Sequence, residues 1–338
     1  MRAVTVSNNA ISVQSRPTPS PEPGEVVVRV HGAGLNRADL LQRAGLYPAP
    51  PGSPVDIPGL EFSGVVAALG EPARGTSTAR HDIAIGDRVF GVCGGGGHSE
   101  SIAVPGAHCA RVPDDLDLVA MGGVPEAFVT AHDAMVTNAN VAAGDWLLVH
   151  AVGSGVGTAA VQLAKAMGAR VIGTARTADK LDRCTALGLD VGIVPPRNGD
   201  GSLDTVGLAN LVREATDGHG ADVTLDLVGG AYFEAEVMSA APRGRIVLIG
   251  TLAGGRASMN ILGAMQARLT IRGTVLRPRS IADKAAATVA FERDVVPLLA
   301  SRSIGPIVER TISLDDAHDA YELLATDTTF GKLILDCR

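Results

Sequence analysis

The sequence predicts an α/β protein that combines a doubly wound parallel sheet with a small irregular β-barrel. Three observations carry this prediction. From about residue 145 onward, apolar runs of strand length alternate with helical stretches, the pattern of a parallel sheet covered on both faces. The first 120 residues read instead as short strands broken by Gly and Pro. At the junction of a buried strand and a helix stands "HAVGSGVGTAAVQLAKAMGA" (150–169), with four glycines and six alanines in twenty positions.

In chain order, the barrel strands are "EVVVRVHGAGL" (25–35), "FSGVVAALG" (62–70), "DRVFGVC" (87–93) and "SESIAV" (99–104). One helix, "NRADLLQRAG", interrupts them, with Asn36 as its N-cap and Gly45 as its C-terminal stop. The polar stretch 71–82 reads as an exposed loop. Sheet strands follow at 145–151, 169–175, 190–194, 222–228, 245–250 and 269–276, with helices such as "LDTVGLANLVREATDG" and "AYFEAEVMSAA" between them. After residue 276 come two helices (281–301 and 315–325) and a last strand, "GKLILDC".

Bulk properties narrow the function. At 338 residues the chain exceeds one ordinary core, so two domains are expected. With 46% hydrophobic and 19% charged residues it reads as a compact soluble protein, not a disordered one. Acidic residues outnumber basic ones 36 to 29, and no Lys/Arg-rich block occurs, which argues against a nucleic-acid partner. The start has no signal-peptide core and no stretch approaches the roughly 18 apolar residues of a membrane span, so a cytoplasmic location and no membrane partner are expected. Cys93, Cys109, Cys184 and Cys337 lie far apart without a C-x-x-C pair, which fits neither a disulfide framework nor a cysteine-built zinc site.

Gly155-Val156-Gly157-Thr-Ala-Ala160 fits G-x-G-x-x-G/A, and the helix behind it carries Val156, Ala160, Leu163 and Met167 on one face. Glycines admit a pyrophosphate close to the backbone, and the helix start offers free N–H groups and a favourable dipole. The alternative is a small-residue turn needed only for packing. The next strand tip, "GTARTADK", offers Thr174, Arg176, Thr177 and Lys180 where an NAD site would place a carboxylate against the ribose 2′-hydroxyl. NADPH is therefore the expected cofactor.

Read together, "GLNRADLLQRAGLYPAPPG" (34–52), "IPGLEFSGVV" (57–66), "PEAFVTAHDAM" (125–135) and the glycine stretch resemble the medium-chain dehydrogenase/reductase superfamily. The chain looks most like its zinc-independent quinone oxidoreductases, with wording nearest the tumour-suppressor-inducible branch. This resemblance implies a Rossmann domain (123–273) inserted in a GroES-like barrel domain formed by 1–122 and 274–338. In zinc-dependent relatives a catalytic Cys falls where Asn36 stands, a His where Leu60 stands, and a third ligand near Glu126. Neither thiolate nor imidazole is present at the first two positions, so no metal is expected.

By the same resemblance Asn36 contacts the nicotinamide ribose or the acceptor, unless it only caps its helix. Tyr47, one of three tyrosines, is the best substrate-pocket residue, bonding a carbonyl or stacking on a ring. Ser154 faces the pyrophosphate or nicotinamide, or supports the turn. Thr130 flanks the nicotinamide by resemblance. Ala151, Ser154 and Gly157 form one register of the glycine loop and Gly155, Gly157 and Ala160 another, with Val156 between them. Gly250 and Thr251, and Thr274 and Leu276, end two strands at the edge where ligands of such sheets bind, and are assigned to the nicotinamide side. By resemblance Glu61 and Asp39 are read as structural, as a buried ion pair or a first-turn helix carboxylate, with general acid work by either as the alternative. Arg197 is a further candidate for the adenosine phosphate.

The expected activity is NADPH-dependent, zinc-free reduction of a quinone, with solvent or Tyr47 supplying the proton. Two alternatives stand beside it: reduction of an α,β-unsaturated carbonyl or enoyl thioester, and a cofactor-binding structural or sensing protein with vestigial activity. A homodimer formed through the strand near 269–276 is expected by family analogy.

Overall fold

The computed structural model describes residues 1–72 and 82–338, so most of the loop expected at 71–82 lies outside the described residues. The chain forms two units, Met1–Thr130 with Leu276–Arg338, and Ala131–Val275.

The first unit opens with β1 (Arg2–Ser7) and β2 (Ala10–Ser15), an antiparallel hairpin. Its two-residue turn, Asn8-Asn9, takes positive φ at both positions (48° and 63°), the hairpin geometry that asparagine tolerates. Next come β3 (Glu25–Gly34), α1 (Arg37–Arg43), β4 (Glu61–Leu69), β5 (Arg88–Val92), β6 (Ser101–Pro105), β7 (Cys109–Arg111), α2 (Leu118–Met121) and α3 (Pro125–His132). In the second unit, β8 (Trp146–Val149), α4 (Gly155–Ala166), β9 (Arg170–Thr174), α5 (Ala178–Thr185), β10 (Val191–Ile193) and α6 (Thr205–Ala215) alternate. They continue with β11 (Ala221–Asp226), α7 (Ala231–Ser239), β12 (Ala240–Leu248), α8 (Ile261–Ala267) and β13 (Thr270–Gly273). The return segment adds α9 (Ile281–Asp294), α10 (Val296–Ala300), β14 (Val308–Ser313), α11 (Ala317–Ala325) and β15 (Lys332–Asp336) to the first unit.

The barrel sheet runs β14-β15-β3-β4-β5-β7, with β6 also pairing β3. Alternate residues of β3 and β4 point inward, so Val26, Val28, Val30, Phe62 and Val66 meet Tyr321, Leu333 and Leu335 of the return segment in one core. Several strands here, β1 and β14 among them, escaped the sequence reading, because runs such as "RAVTVS" and "VERTIS" are short and mostly polar at alternate positions.

In the second unit every strand pairing is parallel, and the order is β10-β9-β8-β11-β12-β13. Counted within the unit this is 3-2-1-4-5-6, the doubly wound order with its switch point between β8 and β11. Buried apolar runs such as Leu147, Leu148 and Val149 fill the middle of the sheet. β12 starts at Ala240, five residues earlier than the apolar run suggests, because "AAPRG" extends the strand before its hydrophobic part begins.

Candidate active site

In the second unit, the glycine loop joins β8 to α4 at the switch point. Ala151 holds a positive φ of 50°. Ser154 is the N-cap of α4, and its hydroxyl accepts the Gly157 N–H at 3.1 Å. A Cβ at Gly157 would lie 2.5 Å from the Val152 carbonyl oxygen and 2.6 Å from that of Ala151, so no other residue lets the helix start this close to the loop. Gly155 and Val156 begin the helix, where backbone N–H groups lack intrahelical acceptors. This small-residue edge, with donors aimed outward, fits a pyrophosphate.

Thr174 departs from its expected role. It is buried, and its hydroxyl bonds His150 Nδ1 at 2.9 Å, because the last residue of β9 points into the layer between sheet and helix. The edge therefore receives no hydroxyl from Thr174. Arg176 is exposed, and the charges of Arg197 and Arg176 both lower the Tyr232 phenol against the effect of burial. Lys180 sits half-buried in the first turn of α5. Gly250 follows β12 and donates its N–H to the Asp226 carbonyl oxygen at 3.0 Å, while Thr251 beside it is exposed. Thr274, after β13, donates its N–H to Leu248 O at 2.9 Å.

In the first unit, Asn36 caps α1 only through its backbone. Its N–H donates to Asp39 Oδ2 at 2.7 Å, the carboxylate half of a capping box. The side-chain amide is occupied elsewhere: Nδ2 donates to Glu61 Oε1 at 2.9 Å and to Gly34 O at 3.2 Å, and Oδ1 accepts from Lys332 Nζ at 2.7 Å. Lys332 also donates to Leu35 O at 2.7 Å and to Glu61 Oε1 at 2.6 Å, so three oxygens surround one buried ammonium. Glu61 Oε2 accepts the Glu126 N–H at 2.8 Å. Glu61 is thus in a buried ion pair with Lys332, and Asp39 sits in the first turn of α1 and accepts the Asn36 and Gly59 N–H groups.

Glu126 is left with the proton. Burial first, and then the negative charge of Glu61, push its carboxyl up to about 8, so it is largely neutral at physiological pH. Tyr47 feels the same surroundings: burial and the Glu126 charge raise its phenol, and Arg277 opposes them. Arg277, buried and missed by the sequence reading as a named residue, clamps this region by donating to Gly94 O (2.8 Å), Tyr47 O (3.0 Å) and Gln42 Oε1 (2.5 Å). Burial lowers the ammonium of Lys284, whose charge is felt by Cys93 and Glu126. The Thr130 hydroxyl is buried without a hydrogen-bond partner among the described residues, as an unfilled donor would be. Leu276 is buried, and its carbonyl oxygen accepts the Arg279 N–H at 3.2 Å. Among the described residues no cluster of His, Cys, Asp or Glu is arranged to hold a metal ion, and no helix is long and apolar enough to cross a membrane.

Comparison with known proteins agrees with this architecture. The alcohol dehydrogenase GroES-like domain model matches residues 22–114, and the zinc-binding dehydrogenase model matches residues 155–290. A quinone oxidoreductase-like protein 2 homolog of Nematostella vectensis is 29% identical, over 93% of this chain and 82% of its own. Also 29% identical, over 97% of this chain, is a phenolphthiocerol/phthiocerol polyketide synthase of Mycobacterium tuberculosis, of which the chain spans only 14%. A mycobacterial protein solved in complex with NADPH superposes with a TM-score of 0.82 at 28% identity, over 99% of both chains. The chain belongs to the medium-chain dehydrogenase/reductase superfamily, in its quinone oxidoreductase-like branch. Its class of activity is oxidoreduction.

Proposed function

We propose that this protein is an NADPH-dependent, zinc-independent quinone reductase. The observation that carries the cofactor half is the carboxyl edge of the parallel sheet. It joins a glycine loop fitted to pyrophosphate with Arg176 after β9 and Arg197 after β10, and the tip of β9 offers no carboxylate. A 2′-phosphate suits paired guanidinium groups, and a bare ribose 2′-hydroxyl suits an acid. The solved NADPH complex of a neighbour at 28% identity supports the same reading.

The donor chemistry of the first unit supports zinc independence. Asn36 and Leu60 supply neither thiolate nor imidazole, and the Lys332 ammonium already takes the oxygens of Asn36 and Glu61. Without a Lewis acid, alcohol oxidation is hard, whereas hydride delivery to an electrophilic quinone needs little beyond positioning. Bound at the edge, reduced nicotinamide would supply that hydride. The chain supplies the rest: glycine-loop donors and Arg176 would orient the dinucleotide, and solvent or Tyr47 would supply the proton to the reduced acceptor.

The match to a polyketide synthase favours a second reading, reduction of α,β-unsaturated carbonyls or enoyl thioesters with the same hydride geometry. Consumption of NADPH with 1,2-naphthoquinone but not with crotonyl-CoA is the expected result, and the opposite pattern selects the second reading. We also propose a homodimer. β13 is the outer strand of its sheet and is exposed throughout, and Leu252, Met259, Ile261, Leu262, Met265 and Val275 are exposed in the segments around it.

A further inference from the structure

Beneath the carboxyl edge of the parallel sheet lies a buried acid–base cluster that the hydride chemistry does not use. His150 follows β8, Asp226 ends β11, and Tyr232 and Glu236 lie on α7, all four buried. His150 Nε2 is 3.1 Å from Glu236 Oε1, its Nδ1 is 2.9 Å from the Thr174 hydroxyl, and its ring meets that of Tyr232 edge-on at 4.9 Å. Yet His150 Nε2, both Glu236 oxygens and Asp226 Oδ2 have no aligned hydrogen-bond partner among the described residues.

Two carboxyl groups and a neutral imidazole, with no cation to pair them, cannot all stay unprotonated in a dry interior. A single proton resolves the conflict. Carried on Glu236, it turns the 3.1 Å contact into a hydrogen bond and leaves Asp226 as the one anion. Carried on His150, it makes an imidazolium–carboxylate pair with Glu236 and leaves Asp226 as the one unpaired anion, with the same net charge. Asp226 can bear that charge because its Oδ1 accepts the N–H groups of Val228 (2.8 Å) and Gly229 (2.7 Å). Burial pushes Glu236 up to about 8 and His150 down to about 4; burial, then the Glu236 charge, pushes Asp226 up to about 6.

Backbone groups of His150, Thr174 and Asp226 also tie the segments after β8 and β12 to the edge. His150 precedes Ala151 and donates its N–H to Leu225 O, the Thr174 carbonyl oxygen accepts the Val152 N–H, and the Asp226 carbonyl oxygen accepts from Ile249 and Gly250. Other charges near the cluster are accounted for. Arg176, after β9, and Arg197, after β10, act on the Tyr232 hydroxyl. Arg213 of α6 is spent on the Met238 carbonyl oxygen, Asp222 of β11 pairs with His219, Arg245 of β12 pairs with Asp145, and Lys165 of α4 pairs with Asp190.

We propose that His150, Asp226 and Glu236 share one buried proton, and that they act as positioning residues whose proton is required for dinucleotide binding at the edge above them. The inference rests on the reading of that edge as an NADPH site. Loss of the proton leaves a second buried negative charge under the strand ends, where a polyanionic dinucleotide must approach. Binding and protonation therefore favour each other, and by reciprocity bound dinucleotide raises the pH at which the proton leaves.

The test is NADPH binding to the wild type and to Glu236→Gln, followed by nucleotide fluorescence from about pH 7 to about pH 9.5, above the 2′-phosphate ionisation near 6. Calorimetry in two buffers of different ionisation heat counts the protons taken up. Wild-type affinity is expected to fall by up to about tenfold per pH unit above the titration of the cluster, with proton uptake on binding. Glu236→Gln, with a permanently neutral amide, is expected to bind evenly across that range. Parallel decline in both proteins, or wild-type binding without proton uptake at the alkaline end, overturns the proposal. If Glu236→Gln does not fold, the wild-type calorimetry decides alone. No NADPH binding at any pH overturns the cofactor reading, and the proposal with it.

Discussion

Arg277 holds Tyr47 twice: its guanidinium lies over the phenol ring, 4.8 Å from the centroid, and its Nη1 donates to the carbonyl oxygen of the same residue at 3.0 Å. The remaining donors reach Gly94 O and Gln42 Oε1, so one buried side chain joins the Tyr47 loop, the glycine run after β5 and helix α1. Replacing Arg277 with Met strands three acceptors and is expected to cost about 3 kcal/mol of stability and to raise the acceptor KM more than the NADPH KM. Thermal unfolding and steady-state kinetics read the two effects. Arg277→Lys keeps the charge but not the fork, and is expected to recover little of either.

Lys332 and Glu61 form a buried pair with Asn36 as third partner. Lys332→Met leaves Glu61 without its cation and is expected to destabilise by about 3–5 kcal/mol. Adding Glu61→Gln should return much of that loss, because the uncompensated charge goes with it. A double-mutant cycle by chemical denaturation measures the coupling; additive losses would mean that the pair carries no interaction energy.

Arg176 and Arg197 are expected to read the 2′-phosphate, with Lys180 in support. Neutralising Arg176 and Lys180 together should raise the KM for NADPH by about tenfold or more and leave that for NADH nearly unchanged. Equal effects on both cofactors would remove the 2′-phosphate assignment.

Between the ordinary glutamate range and about 8, the folded chain keeps the Glu126 proton that the unfolded chain has lost. The folded state then binds more protons, so stability falls as pH rises through this window. Glu126→Gln should gain in Tm over the parent from about pH 5 to about pH 8 and show no gain at about pH 4, because both carboxyls are then protonated. His108 and His150, both pushed down to about 4 by burial, carry the opposite slope on the acid side. Unfolded histidines take up protons that the folded ones refuse, so stability falls as pH drops below about 6.5.

Ile271 on β13 and Leu262 on α8 are both exposed. Changing them to Lys and Glu places charge on the outer strand and should halve the mass measured by light scattering, if the parent is dimeric. A parent already of monomer mass would dispose of the dimer.

Much of this arrangement was legible because it is local. The glycine loop announces itself within eight residues, and the central parallel strands such as β8 and β11 are apolar runs flanked by helical sequence. Gly45 was readable as a helix stop and takes a φ of 72°. The polar chemistry was less legible, since it depends on long-range pairing. Nothing near Glu61 names Lys332, which lies 271 residues away, and nothing near Tyr47 names Arg277. Thr174 shows the same limit on a smaller scale. Its position at a strand tip was readable, but the direction of its hydroxyl depends on which partner, His150, the neighbouring strand places beside it.

The insertion of β15 between β14 and β3 bears on the order of events during synthesis. Strands β8 to β13 are all made before β15 leaves the ribosome, so the parallel sheet can close while the barrel still lacks an inner strand. Until Lys332 arrives, the Glu61 carboxylate and the Asn36 amide have water for company. The nascent chain thus carries Gly32–Gly34 of β3 without their β15 partners for more than half of its translation.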